Sequence, residues 1–183
     1  MVSLDARLIF AAVLVAAAWM LPAARAAEPP PDVARGRHIA TAMTHCTGCH
    51  AADLGGGRSF PVGTNGGRVV AGNLTAGAGG IGNAYSDADY IRAIRQGVRP
   101  DGTRLAIMPS ADFAVLTDRD AASLVAYIRS LPPVDRSFPS DSASADVGMP
   151  PAHAAATPAS MVAAPSSLGA YVAQLGSCIE CHG

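Results

Sequence analysis

Two copies of one pentapeptide constrain this 183-residue chain more than anything else in it: Cys46-Thr47-Gly48-Cys49-His50 and Cys178-Ile179-Glu180-Cys181-His182. Together they use all four cysteines. Two thiols one helical turn apart, followed directly by an imidazole, form the attachment signature of a c-type haem. Each thiol adds to a vinyl group and the histidine is left under the iron as proximal ligand. The spacing therefore assigns Cys46, Cys49 and His50 to one haem c and its iron, and offers Cys178, Cys181 and His182 for a second.

Other chemistries use cysteine pairs. Structural zinc takes two C-x-x-C pairs, but it needs no histidine after each, and the gap between these pairs is far longer than in a zinc ribbon. A thioredoxin-type dithiol would sit among alternating strands and helices, and this sequence lacks that pattern. A disulfide between Cys46 and Cys49 would close too small a loop to stabilise much.

The N-terminus agrees with haem attachment, which is an export-side process. Arg7, an apolar run from Leu8 to Leu21, Pro22 and Ala24-Arg25-Ala26 read as a secretory signal over residues 1–26. The run is shorter than the roughly 18 apolar residues of a membrane span. The expected location is the periplasm, or the periplasmic face of the inner membrane through a partner. Beyond Ala26 the chain keeps eleven arginines, thirteen acidic residues and no lysine, a balance that excludes nucleic-acid binding by charge. A mature domain of this size has a limited core, and a covalently held haem supplies apolar bulk.

The pattern along the chain is helical. Val33, Gly36, Ala40 and Met43 recur at helical spacing and predict one helix from Asp32 through Cys46. Gly36 and Ala40 leave room for another helix to cross closely. Residues 54–82 are glycine-rich, loop by composition, with Arg68-Val69-Val70 as at most one short strand. Ser86 with Asp89 announces a second helix, with Tyr90, Ile91, Ile94 and Val98 as its stripe and Gly97 near its end. A third begins at Thr117, with Asp118 and Asp120 in its first turn. It presents Leu124, Tyr127, Ile128 and Leu131 on one face and stops at Pro132-Pro133. Residues 135–166 have linker composition. From 167 the opening pattern restarts: Gly169-Ala170-Tyr171-Val172-Ala173 repeats Gly36-Arg37-His38-Ile39-Ala40, with one residue fewer before the first cysteine. The repeat is cut short after His182, and the chain reads as a fragment.

The second axial ligand of the first haem is expected at Met108, in the Met108-Pro109 loop between the second and third helices. Met43 reads as core and Met149 stays unassigned. His38 reads as a packing residue at a helix crossing, and neither His45 nor His153 is needed as a ligand. Arg58 and Arg68 are candidate partners for a haem propionate, although plain solvent exposure fits either.

This layout resembles the class I cytochromes c, an all-α fold of three to four helices around a covalent haem. It is more specifically similar to the multi-haem cytochrome c subunits of periplasmic alcohol- and aldehyde-type dehydrogenases. That narrower likeness rests on Gly72-Asn73-Leu74-Thr75, Gly80-Ile81-Gly82, Tyr85-Ser86-Asp87-Ala88-Asp89-Tyr90, Arg95-Gln96-Gly97-Val98-Arg99-Pro100-Asp101-Gly102, Met108-Pro109 and Tyr127-Ile128-Arg129-Ser130-Leu131-Pro132-Pro133. It covers residues 32–133, a cytochrome c domain at 32–134, and the start of a second such domain at 167–183. His38 stands where the family usually has an aromatic residue.

The resemblance implies thioether bonds from Cys46 and Cys49 and axial bonds from His50 and Met108. For a second haem it implies Cys178, Cys181 and His182. It implies an electron carrier with no catalytic residue of its own. The donor would be a dehydrogenase subunit or a quinol oxidoreductase, the acceptor an oxidase or another cytochrome, with membrane association through those partners. A free-standing carrier and a di-haem peroxidase are the competing readings.

Overall fold

A computed structural model of the chain describes residues 29–62, 67–105, 107–138 and 165–182. The expected signal segment, most of the expected linker with His153 and Met149, and Ala106 lie outside the described residues. Among the described residues no helix is long and apolar enough to cross a membrane.

Helix α1 (Val33–His38) is capped by Asp32, whose carboxylate accepts from the Ala34 and Arg35 amides. It runs into a π-helical turn over Ile39–Met43, closed by the Thr44 amide donating to the Ile39 carbonyl at 2.9 Å. The expected single helix from Asp32 through Cys46 is therefore broken. One extra residue relative to the repeat has to fit between Gly36 and Cys46, and a π turn absorbs one residue. His45, at φ 50°, then turns the chain into the short helix α2 (Cys46–His50).

The glycine-rich stretch holds a two-stranded antiparallel hairpin, β1 (Ser59–Val62) with β2 (Gly67–Val70), register Phe60 to Val69. The expected strand at 68–70 is one half of this hairpin, so the fold is mostly helical rather than purely so. The rest of the loop is wrapped onto the end of the domain. Asn73, 1% exposed, donates to the Val134 carbonyl at 2.6 Å and accepts from the Thr75 amide and hydroxyl. The Val134 amide returns a bond to Thr75 Oγ1, and the Arg136 amide reaches Ala78. Residues 135–138, where linker was expected, thus belong to the packed domain.

Helix α3 (Asp87–Gln96) has the capping box read from Ser86 and Asp89, and ends at Gly97 in the left-handed conformation, φ 66°. A short helix α4 (Ser110–Phe113) follows the Met108-Pro109 loop. Helix α5 (Asp118–Ser130) is capped by Thr117. Leu124, Tyr127 and Ile128 are buried as their spacing predicts. Helix α1 crosses α5 so closely that a Cβ on Gly36 would run into the Ser123 carbonyl. Ile39, Ala40, Tyr90, Ile94, Phe113 and Leu116 complete one core.

The last described segment is α6 (Leu168–Leu175), capped by Ser167, and the one-turn helix α7 (Ile179–His182). Tyr171 and Leu175 join the core of the preceding domain.

Candidate functional site

The crossing of α1 and α5, helix α3 and the wrapped loop border an apolar cavity of about 320 Å³. Cys46, Cys49 and His50 border it, and so does Met108. Four residues read from two short motifs nearly sixty positions apart in the chain thus meet at a single space.

Local backbone geometry presents the first motif to that space. His45 before it, and Ala51 and Leu54 after it, all have positive φ, 50°, 66° and 53°. Each such conformation costs on the order of 1–3 kcal/mol for a non-glycine residue and persists only where packing holds it. Here the chain must turn sharply on both sides of a five-residue helix. Gly56, at φ 76°, lets the segment after the motif lie against residues 71 and 72, where a Cβ would stand 2.6 Å from the Gly72 carbonyl oxygen.

That close approach fixes the histidine. His50 Nδ1 lies 2.8 Å from the Gly72 carbonyl oxygen. A carbonyl only accepts, so Nδ1 carries the proton and Nε2 keeps its lone pair for a metal. Burial pushes the imidazole pKa down against the pull of this bond, which favours the neutral form that ligates. Burial likewise pushes the Cys46 thiol up, opposed by the Thr44 hydroxyl 3.1 Å away.

Met108 is held by its neighbours. The turn before it is closed by Arg99 to Thr103 and Leu105 to Gly97 backbone bonds. After Pro109, the Ser110 hydroxyl donates to the Ala93 carbonyl of α3 at 3.2 Å. Its half-buried side chain packs against the core cluster.

The cavity wall contains residues that motif reading did not single out for the site. Tyr90 donates to the Leu74 carbonyl at 2.6 Å, stacks edge-on with Tyr85 at 5.5 Å between ring centroids, and lies beneath the Arg129 guanidinium. Burial raises its hydroxyl pKa to about 12. It was legible as the apolar stripe of α3, but not as a wall of the site. Phe138 borders the cavity from beyond the expected domain end. Of the arginines, Arg58 reaches the Gly48 carbonyl and Arg68 reaches Ser59. The one on the cavity rim is Arg99.

The second motif is placed differently. Cys178, Cys181 and His182 are exposed. The residue before its first cysteine, Ser177, has φ 55°, matching His45.

The donor set fits a covalent haem: two thiols, an imidazole whose far nitrogen is already bonded, and a thioether, around an apolar space. Comparison with known proteins agrees. The family model described as "Cytochrome c" matches residues 33–132. The chain is 35% identical over 117 residues to the fructose dehydrogenase cytochrome subunit of Gluconobacter japonicus, covering 60% of this chain and 23% of that protein. It is 37% identical over 101 residues to the gluconate 2-dehydrogenase cytochrome c subunit of Pantoea cypripedii, covering 52% and 22%. It is 35% identical over 103 residues to the cytochrome c subunit of the quinone alcohol dehydrogenase of Gluconobacter oxydans, covering 52% and 20%. The chain thus spans less than a quarter of the length of each of these three relatives.

Proposed function

This chain belongs to the cytochrome c family, and from that premise we propose that it carries single electrons as a cytochrome subunit of a periplasmic dehydrogenase complex. The convergence of Cys46, Cys49, His50 and Met108 on one apolar cavity carries this reading. Haem c supplies one-electron exchange between ferric and ferrous iron. The chain's own residues decide how it does so.

Cys46 and Cys49 hold the group covalently. His50, oriented by the Gly72 carbonyl, would offer Nε2 to the iron, and Met108 would supply a thioether ligand. With an imidazole and a thioether both given to the iron, no ligand position would be left for substrate, so the role is carrier rather than catalyst. Methionine as partner ligand to histidine would raise the reduction potential, and the apolar wall would add to this by disfavouring the charged ferric state. Cys178, Cys181 and His182 would hold a second haem. The donor is a dehydrogenase subunit, by analogy with the three dehydrogenase cytochrome subunits that the chain resembles, and the export signal at residues 1–26 delivers the chain to the periplasm.

The test is Met108→Ala in chain matured by a cytochrome c-competent host. The midpoint potential of the first haem should fall by a readable part of the roughly 0.8 V span that axial ligands command, and the ferrous form should bind carbon monoxide. An unchanged titration with no carbon monoxide band would remove Met108 from the ligand set.

A further inference from the structure

Helix α6 docks on the first haem unit through a face that its counterpart in that unit leaves in solvent. In repeat register Tyr171 stands where His38 stands, and His38 is exposed. Tyr171 is 9% exposed, and its hydroxyl donates to Asp120 Oδ2 at 2.6 Å. Asp120, 1% exposed, also takes the Arg35 guanidinium as a fork, Nε on Oδ1 and Nη2 on Oδ2. The Thr117 amide donates to the Tyr171 oxygen at 3.4 Å, and the Ser177 hydroxyl donates to Asp112 Oδ2 at 2.5 Å. Every one of these partners belongs to the first unit.

The converse also holds. Gly36 is pressed onto α5, whereas a Cβ on Gly169, its repeat counterpart, would meet only Ser167 Oγ of its own segment, at 3.8 Å. Ile39 is 1% exposed, while Val172 in the same register is 42% exposed. The contact made by α6 is therefore a contact between units, not a second copy of the contact within one. It also brings the motifs close. A Cβ on Gly176 would lie 3.4 Å from Cys178 Sγ and 3.7 Å from the Met43 carbonyl oxygen, in the last turn before Cys46.

We propose that Tyr171, through Asp120 and Arg35, is a positioning residue that seats the second C-x-x-C-H motif against the first unit beside Met43. Haems held by the two motifs would then be neighbours, and the pair would exchange single electrons with no bond made or broken. The electron path rests on the two-haem reading above; the seating does not.

The experiment uses the full matured chain and Tyr171→Phe, which removes one hydroxyl and keeps the ring. Amide hydrogen exchange over residues 168–175 should quicken about ten-fold, the size expected for one lost hydrogen bond to a charged group. The absorption spectrum of the first haem and its thermal midpoint should stay put. Flash-initiated haem-to-haem electron transfer should slow, which a purely structural role for Tyr171 would not cause. Unchanged exchange would overturn the seating, and faster exchange with an unchanged transfer rate would overturn the positioning role. Intact mass showing one haem per chain would overturn the two-haem reading and its electron path, while exchange would still decide the seating.

Discussion

The two attachment motifs share their spacing and their left-handed lead residue, His45 at φ 50° and Ser177 at φ 55°, yet almost nothing of their surroundings. Cys46, Cys49 and His50 line a largely apolar pocket. Cys178, Cys181 and His182 lie exposed. Around the first motif stand the Gly72 carbonyl for the histidine, Met108 for the cavity, and Tyr90 and Phe138 for its wall. The environment that sets a potential comes from segments far along the chain, each positioned by its own hydrogen bonds.

The largest effect that would sharpen this contrast comes from removing thiols pairwise. Cys46→Ala with Cys49→Ala should eliminate the first haem, and with it the filling of the central cavity and the cooperative melting of the domain. Cys178→Ala with Cys181→Ala should cost one haem equivalent by intact mass and leave the melting of the first unit within about 0.5 kcal/mol, the usual range for substitutions outside a core. Equal destabilisation by the two pairs would erase the distinction drawn between the sites.

A smaller effect should come from the clasp that holds the first site's loop. Asn73 is buried, donates to Val134 and accepts twice from Thr75. Asn73→Ala removes the acceptor of the buried Thr75 amide and the shorter bond to the Val134 carbonyl, at a cost of about 2–3 kcal/mol. The denaturant midpoint should drop accordingly while the haem count at the second motif stays constant. A midpoint that does not move would mean the loop is ordered by the apolar wall alone.

How far the sequence carried depended on the range of the interaction. The α3 start at Ser86 and Asp89, its stop at Gly97 and the buried face of α5 are local, and local patterns of capping and 3.6-residue spacing name them directly. The attachment motif is local too, and Met108-Pro109 sits where the order of helices requires it. Asn73 bonding to Val134 and Phe138 reaching the cavity join residues far apart in the chain, and no periodicity announces such bonds. The π turn at Ile39–Met43 was written in the repeat as one extra residue, but spacing alone does not say whether a helix absorbs it or a loop does. Arg99 came to the cavity rim, where Arg58 and Arg68 were the candidates, because the turn at residues 99–103 is shaped by backbone bonds.

The smallest expected effect tests the seam between the two regions through acid. Burial pushes the Asp120 carboxyl pKa up, but the bonds from Arg35 and Tyr171 outweigh it and hold the group below the usual carboxylate range. A carboxylate depressed in the folded state binds fewer protons folded than unfolded, so its contribution is complete above the unfolded value near 3.9. That contribution is lost as pH falls through the folded value. The groups facing Asp120 are Arg35 from α1, Thr117 at the head of α5 and Tyr171 from α6; only the carboxylate changes charge in this range. Below about pH 4 protonation should weaken the α6 seat, read as faster exchange over residues 168–175, while the visible spectrum of the first haem persists. In Asp120→Asn the acid step should vanish, because the amide has no proton to gain. If the variant keeps the same acid step, the seat is governed by another group and Asp120 does not join the two units.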